Sequence, residues 1–77
     1  MRIKISAYGD LKFYTPGKTG LIDMEFDAPN KLSDILNAAG IPLEYLGPVT
    51  IGEATASLDR MIEDDSDIHV YPMASGG

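Results

Sequence analysis

A short amphipathic helix set between strand-like segments is the feature that most constrains how this chain can fold. Its apolar residues recur at i, i+3, i+4 and i+7, which places them on one face; they are Leu32, Ile35, Leu36 and Ala39. Asn30 or Ser33 is the predicted N-terminal cap, and Gly40 with Pro42 ends the helix. A helix of about two and a half turns is not stable alone. It must therefore pack on a sheet.

The residues before the helix form two strands. Residues 3–7 alternate apolar and polar side chains, which is the pattern of a strand with one buried face. Residues 9–20 contain three glycines and a proline, so the chain turns there. Residues 21–26 alternate again, with the even-numbered positions apolar. Two strands this close in sequence predict an antiparallel hairpin with an irregular loop.

Shorter segments follow the helix. We predict an irregular connection over 43–48 with a short turn in it, a strand over 49–51, a strand or extended loop over 54–58, a turn over 63–67 and a last strand over 68–71 closed by Pro72. The order β-β-α-β-(β)-β is that of an α+β, ubiquitin-like β-grasp, in which one main helix packs on a mixed sheet of about four to five strands. The first and last strands then lie side by side at its centre. We assign residues 1–72 to this domain and residues 73–77 to a flexible C-terminal Gly-Gly tail.

Composition narrows the possible functions. The chain has 77 residues, which is one domain, and no cysteine, which excludes disulfides, a thiol nucleophile and a thiolate metal site. Twelve acidic residues against six basic ones give a net charge of -6, and phosphate backbones would repel such a surface. The chain has no apolar run of about 20 residues and no signal-peptide pattern at its start. We expect a cytoplasmic protein with no nucleic-acid or membrane partner.

Three local patterns suggest other chemistries and are better explained as ordinary structure. Residues 16–20 are similar to the end of a phosphate-binding loop, but Lys12 stands where its first glycine should be, and a strand follows instead of a helix. The acidic residues of 63–67 lack the spacing of a calcium loop. His69 is the only histidine, and it has neither a cysteine partner nor an apparent nucleophile. We therefore predict no metal site and no bound cofactor.

The sequence closes on Ser75-Gly76-Gly77, directly after an apolar strand and a proline. Neither glycine has a Cβ, so the backbone takes almost any φ and ψ and fits a narrow channel. A tail of this shape suits chemistry on the terminal carboxylate of Gly77, with Gly76 and Ser75 providing clearance.

Residues 62–77 resemble the last strand and tail of the ubiquitin-like sulfur carriers, which are the small subunit of molybdopterin synthase and the thiamine-pathway carrier. That family shows an apolar residue, an acidic-glycine-acidic turn, an apolar strand ending in proline, and a tail ending in Gly-Gly. Weaker similarity covers residues 3–5, 32–36, 40–42 and 49–53. Three positions depart from the family pattern. Asp65 replaces the turn glycine, Ser66 replaces an acid, and Met73 replaces a second proline that is frequent in the molybdopterin branch.

The resemblance implies a carrier that has no catalytic side chain of its own. An E1-like adenylating enzyme, of the kind that serves molybdopterin and thiamine synthesis, would use ATP to adenylate the carboxylate of Gly77. Sulfur would then replace the adenylate and leave a thiocarboxylate. The sulfur-using partner would be the large subunit of molybdopterin synthase. Five alternatives remain open: the thiamine carrier, another sulfur pathway, a tungsten-cofactor setting, a modifier joined to lysines, and a binding module with an inert tail.

A partner that acts on the tail also needs a surface on which to dock. The strand pattern places Tyr8 and Tyr71 on the face opposite the core, and exposed aromatic residues are enriched at binding surfaces. If the first and last strands are neighbours, the two rings share one exposed patch. Met73 belongs to the arm that leads to the reacting carboxylate. Phe13 either joins the patch or folds back into the core.

Overall fold

A five-stranded mixed sheet and one short α-helix organise residues 1–73, which are the part of the chain that this computed structural model describes. The regular elements are β1 (Arg2–Ala7), β2 (Leu21–Glu25), β3 (Asn30–Lys31), α1 (Leu32–Ala38), β4 (Leu46–Ile51), β5 (Ala54–Thr55), β6 (Met61–Ile62) and β7 (Ser66–Pro72). Short 3₁₀ helices lie in the connections, at Gly9–Tyr14, Pro16–Lys18 and Leu43–Tyr45.

The first and last strands lie side by side at the centre, as predicted. The strand order in the main sheet is β2-β1-β7-β4-β5. β1 runs parallel to β7 with Ile5 opposite Ile68, and it pairs antiparallel with β2 as the predicted hairpin. β4 is antiparallel to β7, and β5 forms the far edge. Because β1 and β7 are parallel, both end at the same edge of the sheet.

One face of this sheet is buried against the helix. The buried side chains occupy every second position of β1 and β7 and positions three or four residues apart in α1. They are Ile3, Ile5, Ala7, Leu32, Ile35, Leu36, Ile68 and Val70. Burying each large aliphatic side chain is worth about 1.5–3 kcal/mol relative to exposure. The side chains that point the other way from β1 and β7 are exposed or half-buried, so they form an open face of the sheet.

The start of the helix differs from the prediction. Neither Asn30 nor Ser33 caps it: the N-cap residue is Lys31, which makes no side-chain capping hydrogen bond. Instead, the backbone N–H groups of Leu32 and Ser33 donate to the carbonyl oxygens of Arg60 and Leu58, at 2.8 and 3.0 Å. A neighbouring loop thus satisfies the first helix donors, which removes the need for a capping side chain. The helix ends at Ala38, and Gly40 follows with φ of +83°.

A second small sheet and longer strands also differ from the prediction. β3 pairs with β6 in a separate two-stranded sheet over residues that were not predicted as strands. β4 begins at Leu46 instead of Val49, because an irregular register between these two residues accommodates Gly47 and Pro48. β7 begins at Ser66, so the end of the predicted turn is strand. Of residues 54–58, predicted as a strand or an extended loop, only the two residues of β5 are strand.

Among the described helices, none combines the length and the apolar character that crossing a membrane requires.

Candidate functional site

The chain leaves the sheet at Pro72 in a direction fixed by its neighbours. A Cβ placed on Gly47 would stand 2.6 Å from the carbonyl oxygen of Pro72, and one on Gly9 would stand 2.7 Å from its Cγ. Both distances are too short for a real contact, so only glycine allows β4 and the segment after β1 to approach the end of β7 so closely. The backbone N–H of Met73 then donates to the carbonyl oxygen of Tyr45 at 3.0 Å. These contacts orient the chain as far as Met73.

We expect Gly47→Ala to disturb this exit. The added Cβ would meet the backbone of Pro72 and Tyr71, which cannot move without shifting β7. Overpacking of this kind costs about 1–3 kcal/mol, measurable as a lower urea midpoint. Hydrogen exchange at the Met73 N–H should become faster because its bond to Tyr45 weakens.

Gly52→Ala is the control for this substitution. Gly52 lies in the turn after β4, with φ of +61°, and apart from its chain neighbours no heavy atom stands within 4 Å of the position that a Cβ would take there. Its substitution should strain only the local turn and leave Met73 exchange unchanged. Equal exchange at Met73 in Gly47→Ala and the native chain would mean that Gly47 does not fix the exit.

Tyr8, His69 and Tyr71 form a stacked aromatic cluster on the open face, next to the exit. The Tyr8 and Tyr71 ring centroids are 4.8 Å apart and the planes differ by 7°. The Tyr8 and His69 centroids are 5.8 Å apart. The two tyrosines are 42% and 36% exposed. Their predicted placement on one exposed face is confirmed, because the register puts Ala7 opposite Val70 and so makes the residues that follow them neighbours.

One hydrogen bond and one contact with a carboxylate hold this cluster in place. The Tyr8 hydroxyl and the His69 Nδ1 are 2.9 Å apart, and the His69 Nε2 lies 3.5 Å from a carboxylate oxygen of Asp67. The carboxylate favours a proton on Nε2, which leaves Nδ1 to accept the hydrogen bond from the Tyr8 hydroxyl. His69 therefore orients the Tyr8 ring.

Phe13 and Met73 are both at the surface. Phe13 is 53% exposed on the 3₁₀ helix after β1, so of its two predicted alternatives the core is excluded. The ammonium groups of Lys12 and Lys18 lie 5.7 and 5.9 Å from its ring centroid, within cation–π range. Met73 is exposed immediately after β7. Neither residue stacks on the aromatic cluster.

The opposite end of the open face carries charge. A shallow depression of about 680 Å³ lies where β1 and β7 begin, lined by Arg2, Lys4, Asp23, Asp65, Ser66 and Asp67. It is larger than a second depression, a groove beside the point where the chain leaves the sheet, but its mixed charges are typical of a solvated surface. Asp65, which departs from the sulfur-carrier pattern, has a structural role here: its carboxylate accepts the backbone N–H of Arg2 at 2.7 Å. Its φ is not positive, so this turn does not need glycine.

A groove of about 310 Å³ lies directly beside the chain exit, and sequence reasoning missed it. It is lined by two acids, two tyrosines and three apolar residues, which are Asp10, Glu44, Tyr14, Tyr45, Leu11, Pro72 and Met73. The tyrosine ring centroids are 6.4 Å apart. The two tyrosines come from separate loops, over residues predicted only as a turn and as an irregular connection. Two exposed tyrosines in loops were the only signal in the sequence, and nothing in it places them together.

The predicted reacting and clearance residues, Gly77, Gly76 and Ser75, lie outside the described residues. Within residues 1–73, no group of three or more His, Asp and Glu side chains is arranged to hold a metal ion. What the described structure provides is therefore an oriented exit, an aromatic cluster and a groove, all at the edge where β7 ends.

Two solved structures share this fold along nearly the whole chain. SAMP1 from Haloferax volcanii is 14% identical, with a TM-score of 0.73 and 100% of both chains covered. A structure of H. volcanii small archaeal modifier protein 1 is 13% identical, with a TM-score of 0.72, and covers 92% of this chain and 95% of that one. The sequence matches no protein-family model and no curated protein. The similarity confirms the ubiquitin-like β-grasp fold, and at this identity it establishes the fold alone.

Proposed function

We propose that this chain is a ubiquitin-like sulfur carrier whose Gly77 carboxylate is adenylated and then converted to a thiocarboxylate. The pathway that we propose is molybdopterin synthesis for a molybdenum or tungsten cofactor, on the resemblance of residues 62–77 to the carriers of that pathway. The chain would act in the cytoplasm as the non-catalytic small subunit of molybdopterin synthase. It would bind no cofactor itself, and the ATP would be used by its partner.

The observation that carries this proposal is the exit of β7. The chain emerges at Met73 beside the aromatic cluster, and Ser75-Gly76-Gly77 follows in the sequence. An enzyme that docks on the cluster would have the terminal carboxylate within reach. A slender end beside an exposed aromatic surface is what a carrier needs, because the domain is recognised and the tail reacts.

The chemistry explains why the chain would need an activating enzyme. A carboxylate is a poor electrophile because its leaving group would be oxide. When a carboxylate oxygen of Gly77 attacks the α-phosphate of ATP, pyrophosphate leaves and an acyl-adenylate forms. Hydrosulfide then attacks the acyl carbon, AMP leaves, and the thiocarboxylate remains. Every catalytic side chain belongs to the partner enzymes, and this chain supplies the reacting carboxylate and the docking surface.

Two partners follow from this scheme. The E1-like adenylating enzyme and the synthase large subunit would each contact Tyr8 and Tyr71, with Met73 and Phe13 at the edge of the contact. Because both partners must reach the same tail, they would bind the same face in turn and not together. The thiamine carrier and other sulfur pathways use the same chemistry and are the alternatives within this proposal.

A protein modifier is the second candidate, and the names of the similar solved proteins favour it. Those structures are of small archaeal modifier proteins. A modifier would use the same acyl-adenylate, but a lysine amine would take the place of sulfur and form an isopeptide bond. The two functions therefore share Gly77 and diverge only in what attacks the activated acyl group.

We expect the native chain to carry a thiocarboxylate, and alkylation can detect it selectively. The chain has no cysteine, so iodoacetamide at neutral pH should label only a C-terminal sulfur. The measurement is intact mass of the chain from its own cells, before and after alkylation. Before alkylation, we expect the mass of the chain to be higher by the difference between sulfur and oxygen. After alkylation, it should rise further by one alkyl group, which maps to the C-terminal peptide. The same intact mass establishes whether the mature chain ends at Gly77.

The other outcomes separate the candidates. Lysines of other proteins that carry residues 61–77 of this chain in isopeptide linkage after tryptic digestion, with no sulfur on the free chain, would support the modifier. A terminus that stays unmodified in the presence of ATP, sulfide and the adenylating enzyme would contradict both functions and support an inert tail.

A further inference from the structure

We propose that the groove beside the chain exit receives an arginine side chain from the enzyme that activates the tail. This inference rests on the proposed function and adds a second recognition element to the aromatic cluster. The groove is the one defined above, with Asp10, Glu44, Tyr14 and Tyr45 as its polar and aromatic lining.

Reach is the first argument. Gly77 is four residues beyond Met73, and an extended chain advances at most about 3.3–3.6 Å per residue, so its carboxylate stays within roughly 14 Å of the Met73 backbone. Met73 itself lines the groove and is tied to Tyr45 by a backbone hydrogen bond. An enzyme whose active site holds Gly77 therefore has that site within roughly 14 Å of the groove, so its surface can contact the groove.

Charge is the second argument. The carboxylates of Asp10 and Glu44 take part in none of the hydrogen bonds or ion pairs that join residues 1–73. Both residues are exposed. An enzyme surface that covers them without a cation would leave two desolvated carboxylates, which is costly. The complementary partner group is therefore cationic.

The tyrosines identify which cation. The guanidinium of arginine is planar, stacks on aromatic faces and pairs with carboxylates through two parallel hydrogen bonds, whereas the lysine ammonium is a strongly hydrated point charge. The Tyr14 and Tyr45 centroids are 6.4 Å apart and their planes are tilted by 33°. Because stacked atoms need about 3.5–4.0 Å on each side, the rings leave no room between them. The guanidinium would lie across the rings, with the carboxylates beside it.

The size of the groove agrees with a single side chain. Its volume of about 310 Å³ is at the small end of the range for ligand sites. Its apolar lining of Leu11, Pro72 and Met73, with the two tyrosine rings, can contact the aliphatic stem of an arginine while the carboxylates hold the guanidinium. One arginine inserted from a partner is therefore a better occupant than a cofactor.

The first test uses a probe and does not need the enzyme. N-acetyl-arginine amide is titrated into the full-length chain, with the lysine analogue and the uncharged citrulline analogue as controls, and backbone amide NMR signals are followed. We expect saturable shifts at Tyr14, Tyr45 and Met73 with the arginine probe, and at least about threefold weaker binding of the other two.

Variants link that binding to the two carboxylates. The double variant Asp10→Asn with Glu44→Gln should weaken binding of the arginine probe about three- to tenfold. Glu53→Gln with Asp59→Asn removes the same charge from two other exposed acids, and should leave the binding unchanged. Equal shifts with arginine and citrulline probes, or equal binding by the groove variant and the native chain, would overturn the proposal.

The second test uses the adenylating enzyme, through ATP–pyrophosphate exchange. We expect Asp10→Asn with Glu44→Gln to raise KM for the chain about tenfold and to leave kcat unchanged, because the tail is intact. A native KM in that variant would overturn the groove proposal while the carrier function stands. If the native chain itself is not adenylated, the proposed function fails, and selective arginine binding alone then decides whether the groove is an arginine site.

Discussion

Removal of Gly77 is expected to abolish thiocarboxylate formation while the folded domain stays as stable as before. The shortened chain still ends in a glycine carboxylate, but that group stops about 3.5 Å short of the position where the enzyme activates it. Errors of about 1 Å in the placement of reacting groups cost roughly 100-fold in rate, so we expect at least about a 100-fold loss. The measurement is thiocarboxylate mass after incubation with ATP, sulfide and the adenylating enzyme.

The stability half of this prediction follows from where the described contacts lie. The core residues and the hydrogen bonds that define the sheet come from residues 1–73. The truncated and native chains should therefore unfold at the same temperature. Gly77→Ala is the companion variant: it keeps the length and adds one Cβ, so it should retain more activity than the truncation if reach matters most.

Two results would contradict the carrier mechanism. Full sulfur loading of the truncated chain would mean that the reacting group is not the carboxylate of Gly77. A clear drop in unfolding temperature would mean that the tail is part of the structure and that its sequence serves packing.

The sequence predicted the centre of the fold because its patterns there are long enough to interpret. Residues 3–7 and 68–71 alternate over most of β1 and the centre of β7, and α1 carries two turns of apolar repeat. Each pattern specifies one buried face. Pairing the first and last strands under one helix buries the apolar faces of all three elements. Tyr8 and Tyr71 became neighbours as a direct consequence of that pairing.

The sequence could not predict the short elements, because their pairing partners decide them. β3 and β6 have two residues each, too few for any period to appear. Gly47 and Pro48 are typical of a break in a strand, yet β4 passes through them with an irregular register. The predicted helix cap was wrong because a distant segment decides it: the carbonyls of Leu58 and Arg60 take the place of a capping side chain.

The groove shows the same limit at the candidate site. Its walls come from the loop after β1 and the connection before β4, which meet only because β1, β7 and β4 are neighbours in the sheet. No local pattern in Asp10 to Tyr14 or in Glu44 to Tyr45 indicates that contact. Sheet order decides which loops come into contact, and a single sequence does not show which loops these are.

Replacement of both Tyr8 and Tyr71 by alanine is expected to raise KM for the chain about 10- to 100-fold in adenylation and to leave kcat near the native value. Tyrosine is enriched among the residues that dominate binding energy, and an affinity loss of this size is about 1.4–2.8 kcal/mol. The rings are stacked at 4.8 Å and partly exposed, so a partner can cover both at once. The reacting carboxylate is unchanged, so catalysis after binding should be unchanged too.

Phenylalanine variants separate the ring from the hydroxyl. Tyr8→Phe with Tyr71→Phe keeps the stacked surface but removes the Tyr8 hydrogen bond to His69, so KM should stay within about threefold of native if the contact is apolar. Met61→Ala is the control for an exposed apolar residue elsewhere, on the two-stranded sheet. It should leave KM unchanged.

Stability must be measured beside these kinetics, because the stacked pair also contributes to the fold. Aromatic stacking is worth about 0.5–1.5 kcal/mol, and a loss of that size leaves most of the chains folded at assay temperature. A rise in KM with a folded chain therefore reports docking. A native KM in the double alanine variant would show that the enzyme recognises some other surface, and the cluster would then serve only to join β1 and β7 where the chain leaves the sheet.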